Sequence, residues 1–169
     1  MELLVKPTGI GAQATATIGN LKLPALIGKN GTTRPDDMRE GMGKTPLGTW
    51  QILYGFYRPD KIKRPPQSAF HWLALSPEMG WCDAPADPLY NQFCPAGYPA
   101  SHEKLWRDDD AYNYVLVMNH NTPAKAGFGS AIFTHVWKKD ATFTLGCIAL
   151  EQKHLEQAIL LGMSQVTVS

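Results

Sequence analysis

Cys147 and His135 are the two residues of this sequence best suited to nucleophilic chemistry. They lie twelve positions apart in two strand-like runs, Ala131-Ile-Phe-Thr-His-Val-Trp137 and Phe143-Thr-Leu-Gly-Cys-Ile-Ala-Leu150, joined by a short polar connection. In a strand, side chains at i and i+2 share a face, which groups His135 with Phe133 and Trp137. Laid side by side, the two strands let His135 and Cys147 meet across a sheet. A neutral imidazole beside a thiol takes its proton, and the thiolate of the resulting ion pair attacks carbonyl carbon. Gly146 leaves room beside the sulfur and lets the amides near Cys147 turn toward a developing oxyanion. A helix starting near Glu151 would bring its positive dipole end close by. Spacing alone leaves open a plainer alternative, a core cysteine in one strand and a histidine at the edge of another.

The elements that must position this pair are mostly strands. Residues 2–6, 13–18 and 21–27 read as short strands, with turns at Gly9-Ile-Gly11 and Gly19-Asn20. Lys29-Asn30-Gly31 is a further turn and leads into a polar loop over residues 34–48. Residues 49–57 return as an aromatic-rich strand, and residues 112–119 form an apolar run that reads as a buried one. Residues 130–137, 143–150 and 165–169 complete the set. Residues 151–161 are the clear helix, with Leu155 and Ile159 four apart on one face and Gly162 as a stop. Between Arg58 and Asp110, prolines and tryptophans crowd a segment without clear periodicity. A structureless loop of that length is implausible in a compact domain, so it reads as short strands and loops packed by aromatics, a lid or a substrate wall. The expected architecture is a mainly β single domain over residues 1–169.

Bulk properties narrow the function. The chain has 169 residues, 44% hydrophobic and 18% charged, with a formal net charge of +1. That balance gives a packed core and excludes a disordered chain, and it gives no reason to expect nucleic acid or an anionic membrane as partner. No run approaches the roughly 18 apolar residues of a membrane span. The first residues lack a basic stretch followed by an apolar one, so no export signal is visible. Cys82, Cys94 and Cys147 are the three cysteines. In an exported protein an odd count suggests one disulfide and one free thiol. Cys82 and Cys94 then pair, or else remain two reduced core thiols. No Cys/His spacing matches a zinc site, and His71, His120 and His154 read as structural or exposed.

Two motifs resemble those of the L,D-transpeptidase (YkuD-like) family. One is Thr144-x-Gly-Cys147-Ile, preceded by a strand histidine and followed by a helix and a final strand. The other is Gly43-Lys-Thr-Pro-Leu-Gly48, followed by a strand. Segments such as Trp81-Cys-Asp83, Tyr98-Pro-Ala-Ser-His-Glu103 and Leu105-Trp-Arg-Asp108 extend the likeness over nearly the whole chain. The resemblance implies an L,D-transpeptidase-like β-sandwich with one or a few short helices, working without metal or organic cofactor. It implies a peptidoglycan substrate, with a donor tetrapeptide and an acceptor stem. Cys147 would attack the carbonyl of the third donor residue and expel the terminal D-alanine. The thioester would then pass to an amine of the second stem, as a 3→3 or a 1→3 link. His135 would serve as base and then acid, with Gly146 and the Cys147 amide in the oxyanion site and Thr144 beside them. Carbapenem β-lactams would acylate the same thiol.

Two departures from the family pattern matter. Ala149 stands where many members have an arginine, and Val136 stands where a glycine often follows the histidine, within a short histidine-to-cysteine interval. A stem peptide presents carboxylates that favour bidentate arginine, so the anion clamp must come from elsewhere. Arg58, Arg64 and Arg107 are the candidates, with Arg58, directly after Tyr57, preferred. His102, Tyr57 and Trp137 are further candidates for substrate contact. Competing functions are an L,D-carboxypeptidase, in which water takes the thioester, and a non-catalytic peptidoglycan-binding module. A papain-like protease would place its cysteine before its histidine, the reverse of the order here. The implied substrate places the protein in the periplasm or cell envelope.

Overall fold

The computed structural model describes residues 1–95 and 97–169 of the chain. Three strands, β1 (Glu2–Pro7), β2 (Gln13–Ile18) and β3 (Leu21–Leu26), open the fold as an antiparallel meander. Two short parallel strands, β4 (Thr32–Thr33) and β5 (Thr45–Pro46), bracket the polar loop. The long strand β6 (Gly48–Tyr57) follows, and then four short strands occupy the proline-rich segment. These are β7 (Trp72–Ala74), β8 (Met79–Cys82), β9 (Phe93–Pro95) and β10 (His102–Lys104). The chain ends with β11 (Tyr114–Met118), β12 (Phe133–Val136), β13 (Ile148–Leu150), helix α1 (Gln152–Leu160) and β14 (Gln165–Val168).

Nine of the strands form one mixed sheet in the order β11-β12-β13-β3-β2-β1-β14-β6-β7. That sheet closes on itself. The first half of β6 pairs with β14, and its second half pairs with both β11 and β7. The two layers of the sandwich are therefore halves of one continuous ladder, joined through β6. The mainly β architecture with one or a few short helices expected from the sequence is what the chain adopts among the described residues, with α1 and a short 3-10 turn at Pro35–Asp37.

Alternation along β11 divides the interior in two. Tyr114, Leu116 and Met118 face a first core, filled from β1, β2, β3 and β14 and by Leu155, Ala158 and Ile159 of α1. Val115 and Val117 face a second core, with Phe56, Trp81, Leu105, Tyr112, Phe133 and Cys147. A strand buried on both faces reads as an unbroken apolar run, which is how residues 114–118 look. The second core lies on the outside of the β11–β12–β13 wall. It is covered by the proline-rich segment, which folds as a three-stranded sheet in the order β10-β8-β9 with Trp81 and Leu105 beneath it. That segment is thus the packed cover the sequence suggested.

Two expectations change, and the alternative left open for Cys82 and Cys94 is decided. Residues 143–147 are not strand: β13 starts at Ile148, and the Cys147 motif forms the turn leading into it. The helix packs into the first core, whereas Cys147 belongs to the second, so its dipole is not presented to the sulfur. Cys82 and Cys94 do not pair; both are free and fully buried.

Candidate functional site

The turn before β13 is held by two threonine hydroxyls. Thr45 is fully buried; its Oγ1 donates to the Gly146 carbonyl at 2.8 Å and accepts the Gly28 N–H at 2.9 Å. Thr144 Oγ1 donates to the Cys147 carbonyl at 2.6 Å and accepts the Gly146 N–H at 3.2 Å. Gly146 sits at φ +142°, a conformation open to glycine and little else. The Gly-Lys-Thr-Pro segment thus buttresses the Cys147 turn from a hundred residues away in sequence. Replacing Thr45 with valine leaves the Gly28 amide and the Gly146 carbonyl buried without partners. The expected cost is on the order of 3 kcal/mol, read from urea unfolding midpoints, with Thr45→Ser retaining most of the stability.

β12 and β13 run parallel, with Thr134 opposite Ile148 and His135 opposite Ala149. This register brings Cys147 alongside Phe133, whose N–H donates to Sγ at 3.4 Å, while the thiol donates to the Ala131 carbonyl at 3.2 Å. Ala131 adopts φ +51°. Its N–H donates to Oδ1 of Asn91, which also accepts the Trp81 indole N–H at 3.0 Å. The cover is therefore stapled to the strand that carries the thiol's partner. His135 Nδ1 lies 2.8 Å from the Val136 carbonyl. A carbonyl only accepts, so Nδ1 carries the proton and Nε2 is the basic nitrogen of the neutral ring. The Tyr112 ring meets the imidazole edge-on at 5.3 Å.

Cys147 and His135 are each 9% exposed and line one cavity of about 450 Å³. Burial pushes the Cys147 thiol up to about 12 and holds His135 down to about 4. Burial thus favours the neutral forms of both groups over the thiolate–imidazolium pair expected from the sequence.

The other sequence candidates are scattered. Thr144 lines the cavity and supports the turn without contacting His135. Arg58 is 3% exposed; its guanidinium grips Asp60 through Nε and Nη2, donates to the Arg107 carbonyl through Nη1, and stacks 3.9 Å from the Trp106 ring. With its fork occupied, Arg58 is not free to hold a substrate carboxylate. Tyr57 packs against the first core, edge-on to Trp72. Trp137 follows the last residue of β12, so alternation no longer keeps it with His135; it borders a shallow groove over β2 and β3. His102 points away from the cavity because its neighbour on β10, Glu103, points in.

The cavity holds one of the arginine candidates that the sequence ranked below Arg58, and beside it a residue that the sequence alone did not single out, Glu103. Arg107, third among the arginine candidates, lines it with Nε and Nη2 held by Asp109 at 2.9 and 2.7 Å. Glu103 lines it too, and its carboxylate accepts a hydrogen bond from the Tyr112 hydroxyl. Burial raises the Glu103 carboxyl above the usual range. Ala149, opposite His135, is the small residue that keeps the floor open.

A buried thiol and a neutral imidazole on adjoining parallel strands, beneath a charged cover, make this a cysteine-bearing face of a closed β-sandwich. The sequence matches the model of the L,D-transpeptidase catalytic domain (YkuD) over residues 16–159, and the chain belongs to that family. No match was found among curated proteins or among solved structures. The family is one of L,D-transpeptidases acting on peptidoglycan stem peptides. Among the described residues, no helix is long and apolar enough to cross a membrane.

Proposed function

We propose that residues 1–169 act as a single catalytic domain that cross-links peptidoglycan stems through a Cys147 thioester. The observation that carries this is the shared cavity of Cys147 and His135, with the Nε2 side of the imidazole unprotonated and the turn locked by Thr45 and Thr144. The donor is a stem tetrapeptide. As Sγ bonds to the carbonyl carbon of its third residue, the thiol proton leaves the Ala131 carbonyl and passes to His135 Nε2. The oxyanion gathers on the Cys147 N–H. Collapse expels D-alanine, whose nitrogen takes the proton back from His135. An amine of a second stem then attacks the thioester, losing its proton to His135, and the thiol is restored. Arg107, rather than Arg58, supplies the carboxylate contact missing at Ala149. Carbapenem β-lactams acylate the same sulfur, and the substrate places the enzyme in the periplasm or cell envelope.

Proton transfer from a neutral thiol to a neutral imidazole has a signature in pH. kcat/KM for the donor reports the free enzyme. His135 is deprotonated above about pH 4 and the thiol keeps its proton up to about pH 12. The profile therefore rises on the acid side near pH 4 and stays flat through neutrality. A bell centred near pH 7 would show instead that a preformed ion pair reacts.

Product analysis with purified disaccharide-tetrapeptide tests the reaction itself. A dimer with the mass of two donor molecules minus one D-alanine is expected, with fragmentation naming the acceptor amine. Trimmed tripeptide alone would make the protein an L,D-carboxypeptidase.

A further inference from the structure

The chemistry at Cys147 gives Trp137 no task. Trp137 is half-buried, its indole N–H donates to the Ala141 carbonyl at 2.9 Å, and it borders a groove of about 420 Å³ over β2 and β3. That volume lies in the range of small-molecule sites. The groove joins an apolar side, Trp137 and Pro24, to a polar one, Gln13, Thr15 and Lys22. Among the described residues, the side chains of those three make no hydrogen bond or ion pair, so their donors and acceptors are open to a ligand. The groove also continues the face that carries the catalytic cavity. Ala149, on the cavity wall, pairs with Leu26 of β3, and Leu26 pairs with Gln13 of β2. Paired residues point to the same side of a sheet, so Gln13 stands on the face of Ala149, two strand spacings or about 10 Å away. The connection after β12 is the ridge between the two: Trp137 borders the groove, and the next residue, Lys138, lines the cavity.

We propose that this groove binds the N-acetylated sugar that carries the donor's stem, while the third residue of that stem lies at Cys147. This rests on the transpeptidase function proposed above. An extended chain spans at most about 3.3–3.6 Å per residue, so the three residues from the sugar to the reacting carbonyl reach about 10 Å, the separation of groove and cavity. A sugar ring has apolar C–H faces and a rim of hydroxyl and acetamido groups. An indole beside open amide, hydroxyl and ammonium groups matches both. Lys138, with its ammonium 3.5 Å from Asp109 and its side chain 55% exposed, stands on the ridge where a stem carboxylate would cross. A peptide fits the groove less well. β2 and β3 are interior strands, paired on both sides, and offer no free edge to a backbone.

Contacts made far from the reacting atoms are alike in ground state and transition state, so they appear in KM and not in kcat. Acylation of Cys147 is followed by intact mass with two donors, disaccharide-tetrapeptide and the bare tetrapeptide. The native protein is expected to show a KM about 10-fold lower for the disaccharide donor, the worth of a hydrogen bond or two, at similar kcat. In Trp137→Ala that difference falls to within about twofold. Thr15→Met is the second variant. It breaks no contact among the described residues and lays a longer side chain in the groove, and the difference is expected to fall there too. Equal KM values in the native protein, or a difference that survives in both variants, would overturn the sugar site and leave the transpeptidase standing. The peptide-free disaccharide tests binding apart from the reaction. At millimolar concentration it is expected to shift the indole N–H resonance of Trp137, assigned by its absence in Trp137→Ala. A resonance that stays in place, or that moves only with the bare tetrapeptide, would overturn the proposal. If neither donor acylates Cys147, the transpeptidase function itself fails, and the disaccharide titration decides the groove.

Discussion

Gly146→Ala is expected to cost about 2–5 kcal/mol of stability and at least about 10³-fold in kcat. Two effects add. At φ +142° an alanine is strained whatever the space around it. The space is also missing, because a Cβ there would stand 2.8 Å from Ile132 Cδ1 and 2.9 Å from the Lys44 carbonyl oxygen. Ile132 can rotate its terminal methyl aside. The Lys44 carbonyl cannot move freely, since Lys44 precedes the Thr45 whose hydroxyl holds the Gly146 carbonyl. The turn must therefore shift, and Cys147 shifts with it. A thermal melt reads the stability, and kcat measured well below the melting temperature separates lost geometry from lost fold. A variant with native kcat would mean that the turn's conformation is not what aims the sulfur.

His135→Ala is expected to lower kcat by about 10³–10⁴-fold with little change in KM, because the imidazole moves protons and does not bind the stem. Burial, which favours the neutral pair, sharpens this expectation. A thiol held up to about 12 by burial has almost no thiolate of its own at neutral pH, so no fallback nucleophile exists once the base is gone. The cavity left by the ring opens into the existing one and admits a small base, so added imidazole should restore part of the rate. The residual activity should also lose the acid limb near pH 4. Retention of more than a tenth of the native kcat would make another group the base.

Much of this site was legible in the sequence. The order of strands around Cys147 and the closing helix follow from alternation and from the Leu155/Ile159 stripe, and the structure keeps both. The Gly-Lys-Thr-Pro segment stood out as a motif, but its task, a hydroxyl reaching the Gly146 carbonyl, is a contact between distant segments that no local pattern reveals. Residues 143–147 looked like strand because Phe143 and Leu145 are apolar, yet they are 47% and 70% exposed and rim the cavity. The preference for Arg58 failed for a reason sequence does not carry. Asp60 lies two residues on, and the pair closes on itself beneath Trp106. Arg107 is likewise paired two residues on, with Asp109, yet it remains on the cavity wall because the cover folds that way. His102 and Glu103 differ by one position on a three-residue strand, and only the pairing with β8 says which of them faces inward.

The account stands most directly on one bond, between Cys147 Sγ and the third residue of a donor stem. Incubating the protein with disaccharide-tetrapeptide, quenching in acid and recording the intact mass would show it. The predicted result is an adduct equal to the donor minus D-alanine, mapped to the peptide containing Cys147, lost on treatment with hydroxylamine, and absent in Cys147→Ala. An unmodified protein, or the same adduct on Cys147→Ala, would contradict it.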